Sequence, residues 1–418
     1  LFIMFINDLS SAVISDLFLF ADDSTLINVF SDATASIVKL NTDLLAIDDW
    51  AKTWLVDFNP NKTEAMTFSA KRVASTANGL YFSGKNVIEV VTHKHLGIIF
   101  NQRLNWSDHI DYVTSKCMKR INILRKLKNR LPRKTLCTLY FTMIQSVIEY
   151  GIVVYYNRAG AVTLKLDNIQ YQACILICGA LKFTSFDRLR GELGWPKIHE
   201  RADFLKASLF YKIVNGLTPS HFSEFILNKC TRQFQPRDVR FRHELLPPFG
   251  RTDRYCTSFI PSACRIWNSL PDTVISARSL SSFKMQYKKH YFMKPIVGFD
   301  SGDRSVNIFH TRFRLHFTTL NYDLYLRNLC ESSSCQCGAT VETYAHYFLY
   351  CPLYIDARRD LLQIVDRLFL SCGLELSSFS DDSIIDHFVN GFGIEFQRHN
   401  ISLFTAVQQF ITATNRFR

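Results

Sequence analysis

Two sets of side chains in this 418-residue sequence have the types and spacing for metal chemistry. The first is Asp22-Asp23, adjacent carboxylates flanked by two short apolar runs within the stretch Leu17 to Ile27, which holds no lysine or arginine. Short Phe-rich runs meeting at a polar pair predict two strands joined by a tight turn. A hairpin pushes both acids out at its tip, where they could hold a divalent cation. The plain alternative is a solvated turn, because Asp favours turns by bonding its own backbone. The second set is Cys335, Cys337, His346 and Cys351, a C-x-C-x8-H-x4-C pattern. Three thiols and an imidazole suit tetrahedral zinc. Gly338 permits the tight turn that would aim both leading sulfurs at one point, and Pro352 biases Cys351 away from helical geometry. The alternative here is ordinary buried cysteines beside a core histidine. Cys330 is a possible substitute ligand. With no redox-active pairing, the cluster reads as structural or nucleic-acid-binding.

The elements that must position these groups follow from periodicity. The opening residues 1–9 read as the end of a buried helix. Ile37, Leu40, Leu44, Ile47, Ala51 and Trp54 recur at helical steps, with N-cap candidates at 31–36 and an end at Asn59-Pro60-Asn61. Strands are expected at 62–68, around 79–82, at 87–91 and at 95–100. From Asp108 the pattern becomes helical. Ile110, Val113, Cys117, Ile121 and Leu124 form one stripe; Leu136, Leu139, Met143, Val147 and Tyr150 form another after Pro132. Further on, Gly194-Trp195-Pro196 predicts a turn into a helix, 236–254 an irregular loop, and 342–350 a helix. No repeat or low-complexity tract is present.

Composition narrows the class. Hydrophobic residues make up 47% and include 35 Phe, which describes a globular chain with large aromatic cores rather than a disordered one. The formal charge of +12 favours a polyanion, nucleic acid ahead of membrane. The excess concentrates at 116–134. There Lys116, Lys119, Arg120, Arg125, Lys126, Lys128, Arg130, Arg133 and Lys134 stand without one acidic residue. Such a run reads as a phosphate-backbone surface, the alternative being a solvated helix face. The 12 cysteines form no disulfide framework and read as reduced thiols of an intracellular protein, nuclear or cytoplasmic. No apolar run is long enough for a membrane span.

Taken in order, these features resemble the reverse transcriptase of non-LTR (LINE-type) retrotransposons, in its jockey- and CR1-like branch. Phe20-Ala21-Asp22-Asp23 matches the catalytic F/Y-A-D-D box. The apolar start through Asn7-Asp8-Leu9 resembles the segment following the family's Gln-Gly motif. Trp50, Trp54, Phe58-Asn59 and Lys62-Thr63 resemble the next palm elements. His95-Leu96-Gly97 resembles the primer grip, and Leu104-Asn105-Trp106 with His109-Ile110 the entry to the thumb. Glu149-Tyr150-Gly151 resembles a thumb helix, and Trp267-Asn268-Ser269-Leu270-Pro271 and the Cys/His cluster resemble late features of such reading frames.

The resemblance implies an α+β fold. It comprises a partial palm at 1–105, a helical thumb at 106–180, a mostly helical connector at 181–320 and a C-terminal region with a zinc knuckle at 321–418. It also implies DNA synthesis on RNA by two Mg2+ ions, with an RNA template, a DNA primer and deoxynucleoside triphosphates as partners. By that likeness Asp22 is the principal magnesium ligand, Asp23 a supporting one, and Lys62 a proton donor to pyrophosphate, although a surface lysine after a turn explains Lys62 equally well. Leu96 and Gly97 would contact the primer. The family's other catalytic aspartate would precede Leu1, so this chain alone is expected not to polymerise. The alternative is a nucleic-acid-binding module without catalysis. A restriction-like nuclease is rejected: Pro271-Asp272 is the sole Pro-Asp pair, it precedes the cluster, and no acid follows until Asp300.

Overall fold

The structure, a computed structural model, describes residues 6–69, 79–157, 160–230, 245–292, 303–392 and 396–417. The chain divides into two compact units, 1–109 and 110–418. Short sheets with a long helix make up the first, and helices dominate the second, a mixed α+β composition. No helix among the described residues is long and apolar enough to cross a membrane.

In the first unit a short 3-10 turn, Asn7–Ser11, buries Leu9 completely; the part of the expected opening helix at 1–5 lies outside the described residues. Strands β1 (Asp16–Phe20) and β2 (Asp23–Ile27) pair antiparallel with Phe20 opposite Asp23, as the apolar runs predict. Helix α1 (Ala33–Trp54) starts at Asp32, whose side chain accepts from the Thr34 N–H. It stops before the expected Asn59 cluster because Leu55 turns left-handed (φ 56°) and Val56 N–H bonds Ala51 C=O at 2.9 Å. That reversal returns Phe58 to the core, with ring centroids 6.5 Å from Trp50 and 6.1 Å from Phe82.

The strand expected at 62–68 shrinks to β3 (Glu64–Ala65), because Asn59 caps a 3-10 turn, Pro60–Lys62, that takes up Lys62. Next come β4 (Tyr81–Phe82), β5 (Lys85–Asn86) and β6 (Ile88–Glu89); β4 and β5 form a hairpin, and β6 runs parallel to β3. The single strand expected at 95–100 is in fact a hairpin, β7 (Thr92–His95) and β8 (Ile98–Asn101). Leu96 and Gly97 both take positive φ, 45° and 83°, the requirement of a two-residue turn matched to strand twist.

In the second unit α2 (Ser107–Leu127) buries Ile110, Val113, Cys117, Ile121 and Leu124, the stripe read from the sequence. The next stripe is displaced by one residue. The structure buries Leu136, Tyr140, Ile144 and Ile148, at steps of four. Such a repeat drifts around a regular 3.6-residue helix, and a wider π turn corrects the drift. Accordingly α3 (Arg133–Leu139) passes through a π turn, Tyr140–Gln145, into α4 (Ser146–Glu149). Gly151 (φ 67°) then redirects the chain into α5 (Ile152–Tyr155).

Helices α6 (Gly160–Cys178), α7 (Phe186–Leu193) and α8 (Ile198–Val214) follow, with the predicted turn at Gly194 (φ 65°) between the last two. Then come α9 (Ser220–Cys230), α10 (Asp253–Cys256), α11 (Phe259–Asn268), α12 (Asp272–Ile275) and α13 (Leu280–Tyr291). The loop expected at 236–254 falls partly outside the described residues; from 245 to 250 it is irregular. Asn268 clamps that loop by bonding both Leu245 N–H (2.9 Å) and C=O (2.7 Å). The chain closes with α14 (Arg304–Arg314), α15 (Asn321–Tyr325), α16 (Ile355–Ser371), α17 (Asp381–Asn390) and α18 (Gln397–Thr414).

Helix α14 is fastened by arginines. Arg304 donates to the Lys128 (3.1 Å) and Leu176 (3.3 Å) carbonyls, and Arg312 to the Gly179 carbonyl (2.9 Å), so two helix C-termini are satisfied by guanidinium. Arg314 reaches the fully enclosed Glu192 through Nε at 3.0 Å and Nη2 at 2.7 Å, and Arg133 reaches the same carboxylate at 2.7 Å. Burial pushes the Glu192 carboxyl up, but the two guanidiniums more than reverse this and hold it at about 2. Its contribution is therefore complete above the usual pKa of 4.5 and is lost as pH falls from there toward 2. Glu192→Gln would leave two buried cations without a counter-charge and is expected to cost about 3–5 kcal/mol in urea unfolding at neutral pH. Wild type should lose more stability than the variant across that acid window, because only wild type protonates Glu192; parallel pH curves would refute the assignment.

Candidate functional site

The acidic hairpin is positioned from α1. Asp43 is buried, and its two oxygens accept the Ile14 (2.7 Å) and Ser15 (3.1 Å) N–H groups, fixing the entry to β1. Trp50 Nε1 donates to Asp8 at 3.1 Å on the same approach. Leu17, Leu19 and Leu26 turn inward onto the buried cluster that includes Ile47 and Trp50, while Phe18 and Phe20 face solvent, the alternation of a half-buried strand. The two-residue turn is Ala21-Asp22, so Asp22 sits at the tip and Asp23 is the first residue of β2, both exposed. Ala21 is left-handed (φ 53°), a conformation that costs a non-glycine residue about 1 kcal/mol.

Lys62 is exposed in its turn, and no ion pair joins it to Asp22 or Asp23 among the described residues. The Cys/His set is the sole group of three or more potential metal ligands among the described residues. Among the described residues no third carboxylate thus converges on Asp22 and Asp23, and this pair by itself does not fit a two-magnesium centre. Leu96 and Gly97 form the β7–β8 turn and are half-buried.

The second set does converge. The ligand atoms of Cys335, Cys337, His346 and Cys351 all lie within 4.8 Å of one another. Cys335 Sγ is 3.8 Å from Cys351 Sγ, and Cys337 Sγ is 3.3 Å from His346 Nε2. Tetrahedral zinc with ~2.3 Å bonds to sulfur requires sulfurs about 3.8 Å apart, so the donors fit the ion.

Local sequence explains the convergence. Cys335 N–H bonds Ala339 C=O (2.9 Å) and Gly338 N–H bonds Cys335 C=O (3.0 Å), closing a turn in which Gly338 has φ 95°. The expected helix at 342–350 is a π turn, His346–Tyr350, closed by Cys351 N–H to His346 C=O. Cys351 itself is extended (ψ 119°), as Pro352 requires, so it returns toward His346 instead of leaving along a helix. Arg358 holds this turn through the Phe348 carbonyl at 2.9 Å. Burial pushes the Cys335 thiol up to about 12 and Cys351 in the same direction, whereas the Ala339 N–H lowers Cys337. Cys330 stands outside the set, its thiol bonded to the Asn321 and Ser332 carbonyls at 3.4 and 3.1 Å.

The basic run divides by role. On α2, Lys119 and Lys126 lie on the face opposite the buried stripe and Lys116 on its flank, and with Arg125, Arg130 and Lys134 they are exposed. Lys128 is half-buried. Arg120 is turned inward to the Met143 carbonyl, and Arg133 is engaged by Glu192. The run lacks an acid only in sequence. Glu192 was missed because its partners lie 59 and 122 residues away. Asp43 carried a readable signal, an acid on the core-facing stripe of an amphipathic helix.

The described residues thus hold an exposed acidic tip in one unit, and in the other a Cys/His set that could hold a metal ion together with a cationic helix face. The chain's curated homologues are RNA-directed DNA polymerases of non-LTR retrotransposons. The chain is 23% identical over 363 residues to the Retrovirus-related Pol polyprotein from type-1 retrotransposable element R1 of Bradysia coprophila, covering 81% of this chain and 32% of that protein. It is 28% identical over 188 residues to the Probable RNA-directed DNA polymerase from transposon BS of Drosophila melanogaster, 44% of this chain and 20% of the relative. It is 25% identical over 185 residues to the RNA-directed DNA polymerase from mobile element jockey of the same species, with the same coverage of 44% and 20%. The chain thus spans a third or less of the length of these relatives. No family model matches, and no solved structure matches.

The geometry gives a direct expectation for the Cys/His set. The chain should bind one Zn2+ tightly, with Cys337→Ser losing it and Cys330→Ser retaining it, read by competition with a chromogenic chelator. Equal retention by both variants would remove the site.

Proposed function

We propose that this chain is a segment of a retrotransposon RNA-directed DNA polymerase that extends a DNA primer on an RNA template from deoxynucleoside triphosphates. The observation that carries the reading is the Phe20-Ala21-Asp22-Asp23 hairpin, exposed at its tip, in a chain with relatives named as RNA-directed DNA polymerases of the transposon BS and the mobile element jockey. In this reading 1–105 is part of the palm, 106–180 the thumb, 181–320 a connector and 321–418 a zinc-bearing region. Asp22 and Asp23 would contribute carboxylates to a magnesium site, with Lys62 as proton donor. Leu96 and Gly97, at a hairpin tip, would meet the primer. Cys335, Cys337, His346 and Cys351 would hold a structural zinc ion, which would tie the 335–338 turn to the 346–351 turn. An intracellular setting, nuclear or cytoplasmic, agrees with the absence of any disulfide framework.

Because no third carboxylate joins the acidic tip among the described residues, we further propose that residues 1–418 alone do not polymerise. Primer extension with Mg2+ on an RNA template should yield no product. Product that disappears on Asp22→Asn would overturn the inactivity and strengthen the polymerase assignment.

A second reading, a nucleic-acid-binding module without catalysis, is favoured by the exposed cations at Lys116, Lys119, Arg125, Lys126, Arg130 and Lys134. Each phosphate contact contributes about −0.7 to the slope of log affinity against log salt on single strands. Replacing Lys119, Lys126 and Lys134 by Ala should flatten that slope by about 2. An unchanged slope would show that this face is only solvated.

A further inference from the structure

The buried carboxylate of Glu342 belongs to neither the zinc set nor the acidic tip, yet everything around it is connected. Its Oε1 lies 3.9 Å from Cys335 Sγ. Arg416, at the far end of the chain, donates Nε to Oε1 and Nη2 to Oε2, both at 2.7 Å, a two-pronged pairing with only 1% of the Glu342 side chain exposed. The Asn321 N–H adds a third bond at 2.7 Å, and Arg416 Nη2 also reaches the Thr319 carbonyl at 3.2 Å. On the backbone, Glu342 N–H bonds Ser333 C=O at 2.8 Å, closing the loop that carries Cys335 and Cys337.

We propose that Glu342 and Arg416 are positioning residues of the metal centre, so that metal binding and docking of the chain segment after α18 form one equilibrium. Glu342 reports the position of Arg416 to the Cys335–Gly338 turn through the sulfur contact and the Ser333 pairing. Without Arg416, a buried carboxylate stands unpaired beside a sulfur that ligates as an anion, an arrangement that costs both fold and metal. The same segment is seated by Phe417, whose ring centroid is 5.3 Å from Tyr347, next to ligand His346. Coupling of this kind is reciprocal: what Arg416 adds to metal affinity, the metal adds to docking of the segment. Groups that orient ligands in this way commonly change metal affinity 10–100-fold.

The inference rests on the Cys/His set being a metal site, and Co2+ separates the two claims. In the full chain, wild type should show the visible absorption of tetrahedral thiolate-bound Co2+, displaced by Zn2+. Absence of that absorption would overturn the site itself. Given the absorption, Arg416→Met should weaken Zn2+ binding about 10–100-fold, with Arg416→Lys restoring part of it. Binding by Arg416→Met equal to wild type would overturn the coupling and leave the site standing. Should Arg416→Met fail to fold, hydrogen exchange on wild type decides. Chelation of the metal should speed exchange in 408–417 well beyond any change in 198–214. Equal change in the two segments would refute the link.

Discussion

The second unit depends on a carboxylate taken out of water. Glu192 could not remain ionised in its site alone. Arg133, the first residue of α3, and Arg314, at the end of α14, convert a desolvation penalty into a junction of three helices distant in sequence. The pairing is directional, because Arg314 presents two donors in a plane, so α14 is held in one rotation. In that rotation Arg304 and Arg312 meet the carbonyls left over at the ends of α2 and α6. Gly179 allows the same approach: a Cβ there would stand 2.4 Å from Ile308 Cγ1. Charge, hydrogen bonding and close packing thus demand one arrangement.

The first unit solves its positioning problem at smaller scale. A two-stranded hairpin is marginal in isolation, and β1–β2 is steadied by burying one face on α1 and by tying its entry to Asp43. Asp43 does for the hairpin what Glu192 does for α14: a buried acid fixes a segment that apolar contact would leave free to slide. The result is a rigid approach and a projecting tip, where Ala21 accepts an unfavourable φ so that two carboxylates face outward.

Much of this was legible in the sequence where a local pattern decides a local outcome. The Asp22-Asp23 hairpin, the α2 stripe, the Gly194 turn and the extended Cys351 before Pro352 each follow from a few neighbouring residues. Errors arose where two local signals competed. His95–Phe100 reads as one apolar strand, yet Leu96-Gly97 supplies turn chemistry, and the turn prevailed. The stripe after Pro132 obeys neither a 3.5 nor a 3.6 period, because a π turn lies within it. Long-range ion pairs were illegible for a different reason: Glu192 and Arg314 are separated by 122 positions, and nothing local marks either as buried.

That distinction bears on the cationic run at 116–134, which in sequence looks uniform. Two of its arginines turn inward, Arg120 to a carbonyl and Arg133 to Glu192, whereas the lysines on the outer face of α2 stay in water. Side-chain chemistry accounts for the two inward arginines, while Arg125 and Arg130 stay exposed. A planar, weakly hydrated guanidinium can satisfy buried acceptors at several angles, while an ammonium loses more hydration on burial. The cations of the run that stay exposed are mainly lysine, Lys116, Lys119, Lys126 and Lys134 against Arg125 and Arg130, so that surface carries compact ammonium charges more than planar guanidiniums.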